Sequence, residues 1–161
     1  MLKRPIYIDL EGADLTGKTT LLKTTFREGD YSKILCFHDR GIMTHYVYNK
    51  CFRRFTEDLD MWFNEFIHFL EAGNGVVILT ANENTIRKRF FDRNDDLFKL
   101  DRILAVNKEY VKLYFELKNT HDTALLIKST VCLISTDDKT PEEVYKEASS
   151  FYGKLFLRGI E

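Results

Sequence analysis

One stretch near the start of the chain constrains everything after it. An apolar run over residues 6–10, broken only by Asp9, leads into Glu11-Gly12-Ala13-Asp14-Leu15-Thr16-Gly17-Lys18-Thr19-Thr20, and a segment of helical character follows. Two glycines five positions apart frame the passage from strand to helix. Glycine lets the backbone turn tightly enough for several N–H groups to converge on one concavity. The helix that follows adds its free N-terminal amides and the positive end of its dipole. The spacing Gly12-x4-Gly17-Lys18-Thr19 is that of a phosphate-binding loop. In such a loop Lys18 reaches the outer phosphates and the Thr19 hydroxyl binds magnesium. Gly12, Ala13, Asp14, Leu15, Thr16, Gly17, Lys18, Thr19 and Thr20 are therefore the candidate phosphate-holding residues.

The rest of the chain alternates in character. Residues 5–10 read as a strand and 17–27 as a helix. Residues 32–37 read as a second strand that ends at His38-Asp39-Arg40-Gly41. Residues 42–55 carry aromatic and apolar side chains at mixed helical spacing. Residues 57–72 are amphipathic, with Leu59, Trp62, Phe63, Phe66, Ile67 and Leu70 three and four apart, and Gly73-Asn74-Gly75 stops them. A buried third strand is expected at 76–79, a basic helix at 82–93, a long helix at 98–117, a fourth strand at 130–134 and a last helix at 141–156. Pro141 suits the first turn of that last helix, and residues 119–128 carry no clear pattern. Strand–helix alternation implies an α/β fold, a three-layer sandwich with a parallel sheet of four to five strands and helices on both faces. In such sheets ligands bind beyond the carboxyl ends of the strands, so the loops after all four strands should face one crevice.

Length and charge narrow the function. At 161 residues one domain, 1–161, is expected, and thirteen Phe with eight Tyr are enough to build its core. A net charge of −1 gives no overall basic excess for wrapping long nucleic acid. Cys36, Cys51 and Cys132 are far apart. Cys36 and Cys132 lie in apolar runs that read as buried strands, so reduced structural thiols and a cytoplasmic setting are expected. No apolar stretch is long enough to span a membrane, and the N-terminus lacks a signal-peptide pattern.

Two further groups bear on the chemistry. Asp39 directly follows a buried strand and is placed to hold a magnesium-bound water, while Arg40 can fork onto a phosphate. Arg87, Arg89 and Arg93 make the helix after the third strand basic. Arg89 and Arg93 share a face, which suits a lid over residues 85–97 that stabilises charge on a transferring phosphoryl group.

Together these residues carry a resemblance. The loop Glu11 to Thr20 looks like the Glu-Gly-x-Asp-Gly-x-Gly-Lys-Thr loop of thymidylate kinases, within the P-loop nucleotide and deoxynucleoside kinases. Asp39-Arg40 resembles their Asp-Arg motif, Ile86 to Arg93 their arginine lid, and Ser135 to Val144 the segment near the donor adenine. The resemblance implies a P-loop NTPase fold and a nucleoside monophosphate kinase using ATP and Mg2+. Lys18 would bridge donor and transferred phosphate, Thr19 and Asp39 would hold the metal, and Asp14 would approach the acceptor sugar. Arg40 would orient the acceptor phosphate, and Arg87, Arg89 or Arg93 would stabilise the transferring group. Three departures stand out. Leu15 replaces a usual glycine, Gly41 replaces an aromatic or serine, and no room remains between Phe26 and Ser32 for a further strand and its phosphate-gripping loop. The trimmed pattern suggests a virus-encoded enzyme working in the host cytoplasm.

The acceptor stays open at this point. A small-molecule nucleotide or nucleoside is expected, with the 5′ end of a nucleic acid as the less favoured partner, no membrane partner, and a homodimer through the aromatic helix as an option. A hydroxyl acceptor would benefit from a general base, for which Glu11 or Asp39 stands ready. A non-catalytic nucleotide-binding domain is the remaining alternative. His38 and His45 lack a third ligand for a metal site. The rings of Trp62, Phe63, Phe66 and Phe69 read first as core, and Arg53 and Arg54 as a solvated pair or a replacement phosphate grip.

Overall fold

The architecture comes from a computed structural model that describes residues 5–29, 35–52, 58–93 and 99–158. Arg53, Arg54 and the lid segment after Arg93 lie outside the described residues. In order, the elements are β1 (Ile6–Glu11), α1 (Lys18–Glu28), β2 (Leu35–Asp39), α2 (Ile42–Phe52), α3 (Leu59–Glu71), β3 (Gly75–Thr80), α4 (Glu83–Arg93), α5 (Leu100–Asn119), α6 (Ala124–Thr130), β4 (Val131–Ser135) and α7 (Pro141–Arg158). The unpatterned stretch after residue 119 thus contains α6, too short for a helical period to be legible.

The described strands form one parallel sheet of order β2-β1-β3-β4. The chain steps from β1 to β2 on one side and to β3 on the other, so the strand order reverses at β1. That reversal opens the crevice beyond the strand ends. β3 is buried on both faces, which explains its unbroken apolar sequence. Val77 and Leu79 join Ile6, Ile8, Leu10 and Leu21 in a core closed by Val144, Ala148, Tyr152 and Leu155 of α7. Val76 and Ile78 face the opposite core, with Met43 and Val47 of α2, Phe66 and Leu70 of α3, and Val106 and Leu113 of α5. Burying each such side chain contributes about 1.5–3 kcal/mol, so the two cores hold the sheet as a rigid plate beneath its loops.

One expectation about the core is corrected. Cys36 is exposed on β2, the end strand of the described sheet, and Cys132 is only partly buried. Burial still pushes the Cys132 thiol up to about 11, which makes it a weak nucleophile.

Candidate active site

β1 ends at Glu11 and the chain enters the glycine loop at once. Gly12 has φ 129° and a side chain there would meet the Leu79 carbonyl oxygen at 2.3 Å, so only glycine fits. Gly17, at φ 96°, ends the loop in the left-handed region and caps α1 without any side-chain hydrogen bond. α1 also lacks an acid in its first turn. The starts of α3, α4 and α7 are closed by side chains, whereas those of α5 and α6, like that of α1, carry no side-chain cap. Asp58 accepts from the Asp60 N–H at α3, Asn82 from the Thr85 N–H at α4, and Thr140 and Glu143 bond each other's amides at α7. The α1 amides are left facing the loop, where an anion would satisfy them.

Lys18 turns inward. Its Nζ donates to the Gly12 and Ala13 carbonyls, each at 2.7 Å, and the side chain is buried. Thr16 ties the same turn by donating to the Ala13 carbonyl at 2.8 Å. Burial draws the Lys18 pKa down from its ordinary value and the neighbouring Arg40 charge adds to this, while Asp14, Asp39 and Glu11 oppose it. Lys18, Arg40, Asp14 and Asp39 therefore share one electrostatic field at the strand ends. Thr19 and Thr20 are exposed in the first turn of α1, and Asp39 is exposed at the end of β2.

Arg40 sits at φ 73°, an uncommon conformation for a residue with a side chain. It is held there at both ends. Its N–H donates to the Leu10 carbonyl at 3.1 Å, and its guanidinium donates to Asp14 Oδ1 at 2.6 Å while lying 5.5 Å from the Tyr48 ring centre. Asp14 thus positions Arg40.

Beneath Arg40 lies a buried network that sequence reasoning missed. Glu11 is completely buried and accepts from the Gly41 N–H (2.8 Å), the Thr44 N–H (3.2 Å), the Thr44 hydroxyl (2.5 Å) and the Tyr110 hydroxyl (2.7 Å). Desolvation raises the Glu11 pKa, against the pull of these donors. Asp9, also buried, accepts from the Ile42 N–H and faces His38 Nδ1 at 2.9 Å; desolvation raises its pKa too. Two carboxylates of one strand therefore cap the start of α2 and hold the turn that carries Arg40. Gly41 completes the fit, since a Cβ there would stand 1.7 Å from Asp9 Oδ2. This is why a glycine follows Arg40. The only signal in the sequence was two acids alternating with apolar residues in a strand that should be buried. With its oxygens taken by four donors, Glu11 acts as a positioning group rather than a free base.

The basic helix divides. Arg89 donates to the Leu15 carbonyl (2.8 Å), the Thr136 hydroxyl (2.9 Å) and the Thr136 carbonyl (3.1 Å), pinning the loop apex to the turn after β4. Leu15 itself lies in the left-handed region at φ 65°, where a glycine would be unstrained. Arg87 instead pairs with Glu83 on the surface of α4, and Arg93 is exposed at its end. So the structure joins Arg89 to the loop, while Arg87 pairs along its own helix. Leu15, Gly17, Thr20, Arg89, Thr136, Lys139 and Val144 line a cavity of about 430 Å3 beside the loop.

The reversal of strand order at β1, the glycine loop and the helix at its end define an α/β fold of the P-loop NTPase type. Among solved structures, the chain is similar to the YorR protein of Bacillus subtilis, determined in complex with phosphorylated GDP, with a TM-score of 0.64 and 18% identity over 91% of this chain and 95% of that one. The likeness is one of fold. No family model and no curated protein sequence matches the chain.

Proposed function

We propose that the protein binds ATP with its phosphates in the 12–20 loop and transfers the terminal phosphoryl group to a nucleoside monophosphate. The observation that carries this reading is Lys18, a buried cation bonded among the described residues to two loop carbonyls, beside a helix terminus with no side-chain cap. Such a cradle is suited to an anion it does not yet hold. The complex of YorR with phosphorylated GDP supports a nucleotide site in a chain of this fold.

The oxygen donors fit magnesium, which needs only one or two protein ligands besides substrate phosphates and water. Thr19 and Asp39 would hold it, and among the described residues no cluster of three acidic, histidine or cysteine side chains competes for that role. When bound, magnesium would neutralise charge between the phosphates. Lys18 would reach the transferred phosphate and Arg40, steadied by Asp14, would orient the acceptor phosphate. Arg89 would keep the loop apex in place, and the cavity it lines would take the donor base. Arg87 and Arg93 would act only if the region around 85–97 closes as a lid. A monophosphate acceptor suits this site because its phosphate oxygen is already nucleophilic, and the work left is positioning and neutralisation.

The test is a transfer assay with labelled ATP, magnesium and a panel of nucleosides, nucleoside monophosphates and 5′-hydroxyl oligonucleotides. Label should appear on monophosphates, and Lys18→Ala should lower the rate by about 10^3-fold or more without unfolding the domain. Label on nucleosides or oligonucleotides alone would overturn the acceptor assignment. Full turnover by the Lys18→Ala variant would overturn the loop assignment.

A further inference from the structure

In a doubly wound sheet both faces are normally covered by helices. β1 turns Tyr7, Asp9 and Glu11 away from the Ile8 and Leu10 core, and the register Tyr7–Cys36 and Asp9–His38 puts the two β2 residues on that same face. Among the described residues α2 packs on α3 and α5 and also meets β1, leaving part of this face uncovered. Tyr7 is 39% exposed, and Cys36 and His38 are exposed. Between the open face and the two helices lies a cavity of about 490 Å3, within the range of small-ligand sites.

Its lining is specific in chemistry. The sheet contributes Tyr7 stacked on His38, with ring centres 5.4 Å apart. The helices contribute His45 stacked on Trp62 at 4.4 Å, with the rings within 10° of parallel. Asp9 faces Nδ1 of His38, which leaves Nε2 as the nitrogen offered outward. Arg40 lines the cavity as well and also faces the glycine loop through Asp14. Aromatic pairs from sheet and helices favour a planar ring with two π faces. An oriented imidazole favours a ring with polar edge atoms. A shared arginine favours an anionic group at the end nearest the loop. A nucleoside monophosphate has all three.

Building on the reading of the protein as a monophosphate kinase, we propose that this cavity receives the acceptor, with its base between the two ring pairs, His38 at the base edge and Arg40 at the phosphate. His38 and His45 then determine acceptor affinity, and Asp9 positions His38.

Trp62 is the sole tryptophan of the chain, so intrinsic fluorescence reports on the cavity directly. The full chain is titrated without donor, using deoxynucleoside monophosphates, the corresponding nucleosides and inorganic phosphate. Monophosphates should change the emission saturably, nucleosides more weakly, and phosphate alone not at all. His38→Ala and His45→Ala, both at exposed positions, should each weaken monophosphate binding about tenfold or more. In the transfer assay the two histidine variants should raise the acceptor KM and leave kcat unchanged. The proposal is overturned if no monophosphate gives a saturable change up to about 10 mM. It is equally overturned if both histidine variants bind as the parent does. Since the titration needs no turnover, a failure of phosphoryl transfer would sink the proposed function and leave the cavity standing. Transfer with unchanged acceptor KM in both histidine variants would sink the cavity alone.

Discussion

The two faces of β1 use the same six residues in opposite ways. On one face Ile6, Ile8 and Leu10 meet α1 and α7 in an ordinary apolar core. On the other, Tyr7, Asp9 and Glu11 occupy positions where a buried strand would normally place further apolar side chains. Burying a carboxylate is expensive unless its hydrogen bonds are satisfied, and here they are: Glu11 accepts four and Asp9 closes on Ile42 and His38. The apolar face holds the sheet together. The polar face spends stability to fix one turn, Arg40-Gly41, in an uncommon backbone conformation at the edge of the crevice. The difference shows where the fold keeps its rigidity and where it keeps its chemistry, within a single strand.

The comparison breaks most sharply at its two centres. Ile8→Ala should cost about 2–5 kcal/mol in denaturant unfolding while leaving activity per folded molecule close to the parent's. Glu11→Ala should cost about 3 kcal/mol or more, because buried amides and hydroxyls lose their acceptor, and it should also depress activity through Arg40. Equal specific activity in the two variants would show that the acidic face does not position Arg40.

A smaller effect is expected at Gly41. Gly41→Ala drives a methyl into the Asp9 carboxylate and should cost about 1–3 kcal/mol. Asp9→Ala makes room for that methyl, so the double variant should be more stable than the sum of the single changes predicts. Strict additivity in unfolding measurements would mean the two residues do not share the space.

The smallest effect is a difference of sign with pH. The folded-state pKa of Glu11 lies above its ordinary 4.5 because it is desolvated, so the folded protein holds a proton there that the unfolded chain releases. The Glu11 contribution to stability is therefore greatest below pH 4.5 and falls as pH rises through the window up to the raised value. Asp137 behaves oppositely. Desolvation acts to raise its pKa, but the Ser135 hydroxyl, the Asn82 N–H, Thr85 and Arg89 together bring it below 3.8, so its contribution is present above that value and is lost as pH falls below it. In urea midpoints from pH 3 to 7, Glu11→Gln should gain on the parent as pH rises, and Asp137→Asn should approach the parent as pH falls. Parallel curves for all three proteins would remove both assignments.

How much of this could be read beforehand depends on sequence distance. The glycine loop, Lys18 and the start of α1 lie within nine residues and obey local backbone rules, so spacing alone located them. Element types were legible for the same reason, with ends displaced by up to two residues wherever they do not abut residues outside those described. α6 was missed because seven residues hold too little periodicity. The partners of Glu11 lie 30, 33 and 99 positions away, and the contact of Arg89 with Leu15 spans 74. No pattern within an element encodes such meetings. The exposure of Cys36 was hidden likewise, since an apolar run does not say whether a helix covers it. His38 and His45, too sparse to read as a metal site, share a cavity only because β2 and α2 diverge from a common turn.

By itself, then, the sequence determined a glycine loop between a first strand and a helix, and with it an α/β sheet of this type, because those features follow from glycine, helix termini and hydrophobic alternation acting over short range. Only the tertiary structure decided what stands opposite that loop: a strand face bearing two buried acids, an arginine on the turn they hold, and the exposed Tyr7, Cys36 and His38 beside it. Those depend on which elements meet, and burial turns an otherwise ordinary pair of carboxylates into the fixed points of the site.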